Sequence, residues 1–150
     1  MKLMYGKPNL KDLSVGSRIA FVRQLRRISR KDLAHRLGLS EENGKRIMSR
    51  YERAVRLPAD EKLKKIADIL DINIRMIEEY DLNDPQDLYY LMLWLEELCP
   101  NFTLTRQLIV PPENETQRVL SEKYFQWHEM RRKYRNNEIS YDEYWRWKLE

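Results

Sequence analysis

Residues 28–58 read ISRKDLAHRLGLSEENGKRIMSRYERAVRLP, and the reading of this stretch decides the fold. Two short helical patterns meet across Gly38-Leu39-Ser40. Ser29 is placed to cap the first, with Asp32 three residues on, near the positive end of that helix. Leu33, Ala34 and Leu37 are its inward residues, and Gly38 supplies the stop. Ser40 is placed to cap the second, with Glu41 and Glu42 in its first turn. Met48 and Tyr51 are its expected core contacts, helped by Ile47, and Pro58 closes the unit.

Charge is distributed unevenly around this stretch. Residues 1–58 hold 15 Lys/Arg against 5 Asp/Glu, a net of +10. Residues 59–116 come to −8 and residues 117–150 to +2. A modest net charge of +4 therefore hides a strongly basic segment beside an acidic one. A concentrated positive face attracts the phosphate backbone of nucleic acid, and an even +4 does not.

Outward from there, 150 residues suit one domain, or a small domain with an appended one. High charge and only four glycines favour helices over turn-rich sheets. Cys99 is the one cysteine, so neither an internal disulfide nor a cysteine-based zinc site is expected. A reducing cytoplasm is the expected compartment. MKLMYGKPNLKDLS contains no apolar run long enough for a signal peptide. The most apolar run, Leu88 to Leu95, is far shorter than the ~20 residues that span a bilayer.

A helix over 15–27 carries Val15, Ile19, Val22 and Leu25 at helical spacing. Another over 59–70 turns Leu63, Ile66, Ala67 and Leu70 inward, and a short one is expected over 74–80. Asp84-Pro85 opens a further helix through Leu98, with Asp as cap and Pro at the first helical position. It is apolar nearly all round (LYYLMLWLEEL), which implies burial on several sides or a subunit interface. Pro100 and Asn101 break the pattern, FTLTRQLIV over 102–110 reads as one strand or a tight hairpin, and Pro111-Pro112 closes it. A long helix over 115–136 has Leu120, Tyr124, Trp127, Arg131 and Tyr134 as its stripe. Ser140 and Glu143 make a capping box for a last short helix. The expected organisation is an arm over 1–14, a basic helical domain over 15–82 and a C-terminal region over 83–150 with an oligomerisation or regulatory role.

VGSRIAFVRQLR, SRKDLAHRLGLS, IMSRYERAVRLP and LKKIADILDI occur in order over residues 15–77, which thereby resemble the Cro/phage-repressor type of helix-turn-helix domain, the XRE family. The resemblance implies a mainly α fold: a five-helix lambda-repressor-like domain, followed here by a helical or α+β extension with at most a short strand or hairpin. The whole chain also resembles regulators of this kind from bacterial genomes and mobile elements. These share a longer linker into the third helix, a Tyr-Glu pair seen here as Tyr51-Glu52, and a tail similar to Glu138-Ile139-Ser140, Tyr144 and Trp147-Lys148. Three departures stand out. Ser40 to Glu52 is four residues longer than the usual spacing, so either the third helix starts a turn earlier or Glu41-Glu42-Asn43-Gly44 lengthen the turn. Arg30 replaces the usual Gln at the start of the second helix, a frequent DNA contact. Ala54 replaces the usual Gly after the third helix, so the backbone there is expected to avoid positive φ.

A recognition helix exposes polar donors on one face while its other face packs on its neighbours. With Met48 and Tyr51 inward, Lys45, Arg46, Ser49 and Arg50 are left for the groove, and spacings of three and four put Arg46, Ser49 and Arg50 on one side. Arg and Lys donate to guanine O6 and N7, and Arg can do so with two bonds at once. Arg30 can reach phosphate or guanine. The resemblance further implies phosphate contacts by Arg53 and Arg56, and a structural ion pair between Arg23 and Glu52. Half of the aromatics lie from Tyr124 onward. Core packing is the plain reading of that stripe; Tyr89, Trp94, Tyr124, Trp127, Tyr134 and Trp145 are also candidates for a dimer or partner surface. His35 and His128 belong to no metal-ligand pattern. Asp60/Glu61 and Glu78/Glu79 read as a helix start and a solvated face, and no glycine-rich phosphate loop or nucleophile elbow is present. No enzymatic activity, metal or cofactor is expected. The expected function is a sequence-specific DNA-binding regulator of transcription, a dimeric repressor bound to double-stranded DNA. The rival is a protein-interaction module that uses the same fold as a scaffold.

Overall fold

The computed structural model describes residues 7–99 and 115–150. Among these the chain forms seven α-helices and one 3-10 turn, with no strand. The segment expected as a strand over 102–110, with its flanking prolines, lies outside the described residues. The chain divides into two compact units, Met1–Glu79 and Tyr80–Glu150.

In the N-terminal unit, α1 (Val15–Leu25) is capped by Ser14, whose Oγ accepts from the Ser17 amide. It ends short of residue 27 because Arg27 takes φ +58°, with the Ile28 amide donating back to the Arg23 carbonyl. α2 (Arg30–Arg36) starts at Ser29, whose Oγ accepts from the Asp32 amide, and stops at Gly38 with φ +72°. α3 (Gly44–Glu52) and α4 (Asp60–Leu70) follow. Ile19, Phe21, Val22, Leu33, Met48 and Ile66 are wholly buried and form the core. Gly16 is indispensable to that packing. A Cβ there would stand 2.0 Å from the Tyr51 carbonyl oxygen, so only glycine lets α1 lie against the end of α3.

The short helix expected over 74–80 is reduced to one 3-10 turn, Ile74–Met76. Arg18, buried on the apolar stripe of α1, ties this turn to that helix. Its guanidinium donates to the carbonyls of Leu13, Met76 and Glu78 at 3.1, 2.8 and 2.7 Å. These bonds satisfy the Met76 and Glu78 carbonyls from another helix of the same unit. Met76 and Ile77 are wholly buried, so the turn still anchors the core. Arg26 acts similarly, donating to the carbonyls of Leu70 and Asp71 at the end of α4.

The C-terminal unit contains α5 (Pro85–Leu98), α6 (Glu115–Arg135) and α7 (Tyr141–Leu149). Asp84 caps α5, and Ser140 with Glu143 forms the capping box of α7. Trp94, Trp127 and Trp145 are buried between these helices. Within this aromatic core sits an ionic hub on Glu96. Arg131 Nε lies 2.7 Å from Oε1, and Lys148 Nζ lies 2.7 Å from Oε2. Tyr144 and Trp127 also donate to Oε2, at 2.8 and 3.2 Å. Burial pushes the Glu96 carboxyl up, but Lys148, Tyr144 and Arg131 outweigh it and hold it below the usual carboxylate range. The Lys148 ammonium also lies over the rings of Tyr144 and Trp145, at 4.6 and 4.5 Å from their centroids. No helix among the described residues is long and apolar enough to cross a membrane.

Candidate nucleic-acid interface

The four extra residues before α3 lengthen the turn and do not extend the helix. Glu41, Glu42 and Asn43 form a turn, and the Gly44 amide donates to the Ser40 carbonyl at 2.7 Å. Ser40 is therefore not the helix cap. Its Oγ accepts from the Asn43 amide at 3.3 Å, and the cap position falls to Asn43, whose side chain makes no cap bond. The start coincides with a close approach at Gly44. A Cβ at this position would lie 2.9 Å from the Ala34 Cβ and 3.3 Å from the Leu39 Cβ. The helix begins where the chain has the one residue that can touch α2 so closely.

From that start the two faces of α3 separate cleanly. Gly44, Met48, Tyr51 and Glu52 are buried. Lys45, Arg46 and Arg50 are exposed, and Ser49 is half-buried beside them. Arg46 is steadied by a 2.9 Å bond from Nη2 to Asn43 Oδ1. Arg53 and Arg56, just past the helix, are exposed.

Ala54 does not avoid positive φ: it adopts +55°. The Ala54 amide donates to the Tyr51 carbonyl and the Val55 amide to the Arg50 carbonyl, each at 3.0 Å. This is a Schellman termination, and its two bonds satisfy carbonyls that would otherwise be orphaned, at the cost of a left-handed alanine. Helix termination, not residue type, sets the backbone here.

The Arg23–Glu52 pair is a two-pronged contact, Nε to Oε1 at 2.5 Å and Nη2 to Oε2 at 3.1 Å. The third member of the cluster escaped sequence reasoning. Arg30 Nε donates to Glu52 Oε2 at 2.6 Å, so Arg30 is tied to α3 and is not a freely swinging DNA contact. No spacing rule signals this, because the two residues come from different helices. Arg18 did leave a signal: it stands three residues after Val15 and four before Val22, on the buried stripe of α1.

Four of the six aromatic candidates for a partner surface are buried within the C-terminal unit. Trp94 and Trp145 are wholly buried, and Trp127 and Tyr89 nearly so. Tyr124 and Tyr134 are half-buried, within ring stacks to Trp127 and Tyr144. The rings of this unit pack on one another, and Leu93 and Leu149 are buried in it as well. His35 and His128 are both exposed. Among the described residues no cluster of His, Cys, Asp and Glu is placed to hold a metal ion.

A basic helix face, presented by a neighbouring helix across a glycine turn, is the geometry of groove-reading modules. Residues 18–81 match the family model described as Cro/C1-type HTH DNA-binding domain. This segment is a Cro/C1-type helix-turn-helix domain. It covers residues 18–79 of the N-terminal unit and reaches only two residues into the C-terminal one. No curated protein and no solved structure matches the chain. The Cro/C1-type domain makes the protein a DNA-binding regulator in general terms.

Proposed function

We propose that the protein is a sequence-specific transcriptional repressor that binds double-stranded DNA as a homodimer and reads the major groove with α3. The observation that carries this reading is the division of α3: Met48 and Tyr51 inside, Lys45, Arg46 and Arg50 outside. Arg50 and Arg46 donate to guanine edges, with Lys45 and Ser49 beside them. Arg53 and Arg56 bind phosphate and set orientation. One short helix reads few base pairs. A dimer on two half-sites ~34 Å apart supplies both affinity and palindromic specificity. The C-terminal unit is assigned self-association or the response to another protein, in keeping with the exposed apolar side chains of Leu88, Val119 and Phe125.

The test is binding to a labelled duplex from the gene's own upstream region against a scrambled duplex, across a salt series. Tight binding to the first alone, falling steeply with salt, is the expected result. Weak and equal binding to both would refute sequence-specific control of that promoter.

A further inference from the structure

We infer that Glu52 is a positioning residue for DNA binding, and that it holds Arg30 as a phosphate clamp at the edge of the α3 surface. The inference rests on the DNA-binding reading above and adds a mechanism to it. Glu52 is the last residue of α3, and its side chain is 2% exposed, yet one of the two arginines it binds reaches solvent. Arg23, with 9% exposure, is the interior partner: Nε and Nη2 face the carboxylate and Nη1 donates to the Ile28 carbonyl at 2.8 Å. Arg30 is the exterior partner, with 41% exposure and only Nε on Glu52.

A guanidinium is a planar fork with donors on separate edges. With Nε on Glu52, the Nη atoms of Arg30 make no further hydrogen bond among the described residues, and the side chain is partly open to solvent. An anion placed there meets two donors whose orientation is already fixed, so little side-chain entropy remains to be lost on binding. The position is also apt. Glu52 ends α3 and the exposed Arg53 follows it, so the bond to Glu52 holds Arg30 at the C-terminal end of α3. The negative charge of Glu52 is offset by two arginines, which lets a carboxylate stand this close to a DNA-binding face. A lysine could not replace Arg30, since a single ammonium cannot serve Glu52 through one edge and a phosphate through another.

The experiment uses the full-length protein and a short mixed-sequence duplex, because phosphate contacts persist on any sequence. Affinity is measured from low to moderate salt for the unaltered protein, Arg30→Ala, Arg30→Lys, Glu52→Gln and the Arg30→Ala/Glu52→Gln double variant. Circular dichroism confirms that each is folded at the assay temperature. Arg30→Ala is expected to weaken binding roughly tenfold and to lower the magnitude of the salt slope by about 0.9. Arg30→Lys is expected to lose most of the same affinity despite keeping its charge. In the Glu52→Gln background, Arg30→Ala is expected to cost much less than in the unaltered protein. An equal Arg30→Ala cost in both backgrounds, or tighter binding by Glu52→Gln, overturns the positioning role. Full affinity in Arg30→Lys overturns the fork. No effect of Arg30→Ala, while Arg56→Ala still weakens binding, overturns the clamp and spares the DNA-binding reading. No salt-dependent binding by the unaltered protein removes both.

Discussion

Removing the Glu52 carboxylate is the perturbation with the largest expected effect on the N-terminal unit. Three charge-assisted bonds end on it, two from Arg23 and one from Arg30, in a side chain that is 2% exposed. Glu52→Ala leaves Arg23 buried with only the Ile28 carbonyl as acceptor. Breaking a buried pair in this one-sided way costs about 3–5 kcal/mol. The Arg30 side chain, 41% exposed, regains water, so Arg30→Ala costs below about 1 kcal/mol of stability. At roughly 0.05–0.15 kcal/mol per residue, a domain of this size holds only some 4–12 kcal/mol in total. The midpoint of Glu52→Ala should therefore fall by roughly 15–30 °C. The assay is thermal and urea unfolding followed at once by helix circular dichroism and tryptophan fluorescence. All four tryptophans lie from Trp94 onward, so fluorescence reports the C-terminal unit alone and isolates the effect. Replacing both partners, Arg23→Met with Glu52→Leu, should recover most of the loss, because no charge is then left stranded. A Glu52→Ala cost below about 1 kcal/mol, or one equal to that of Arg30→Ala, would refute the reasoning.

Gly16→Ala should cost at least about 3 kcal/mol, since its Cβ would collide with the Tyr51 carbonyl and not with a movable side chain; near-native urea unfolding would refute that. Ala54→Gly should stabilise by about 0.5–1 kcal/mol, as the left-handed backbone loses its steric penalty while the unfolded chain gains freedom. A lower midpoint would show that the turn is not strained. On a specific operator, Arg50→Ala should relax discrimination at one base pair by ~1–3 kcal/mol. Arg56→Ala should weaken binding to all sequences alike, and identical behaviour of the two would sink this division of roles. In the C-terminal unit, the folded Glu96 carboxyl titrates below its ordinary value of 4.5. Its contribution is therefore present above that value and is lost as pH falls through the lowered one. Acid titration of tryptophan fluorescence should show this loss, and Glu96→Gln should flatten it.

Some of this architecture was written locally in the chain. Ser29, Asp84 with Pro85, and Ser140 with Glu143 mark helix starts because a cap needs only a side-chain acceptor and the amides two or three residues on. Ile19, Met48, Leu63 and Ile66 were legible as core from spacing alone, since helical periodicity puts them on one face. Lys45, Arg46 and Arg50 followed by exclusion, as the polar complement of Met48 and Tyr51. Arg131 stands on the stripe of α6, but its charge reads as part of a solvated helix end, and only the fold buries it against Glu96.

Tertiary contacts decided the rest. Ser40 is a cap-type residue, yet α3 begins at Gly44, where the chain lies against Ala34 too closely for a Cβ. Ala54 has a preference for negative φ, yet the Schellman bonds to Arg50 and Tyr51 overrule it. The helix expected over 74–80 is one 3-10 turn, tied to α1 through the bonds of Arg18 to the Met76 and Glu78 carbonyls. The aromatic stripe alone could not say whether Trp94 and Trp145 face a partner or each other, and the fold buries both. Arg30 and Glu52 stand 22 residues apart, and only the packing of α2 on α3 brings them to 2.6 Å. Periodicity and capping act over a few residues, so a chain declares them by itself. Which atom meets which across helices depends on close packing, and that exists only once the whole unit has formed.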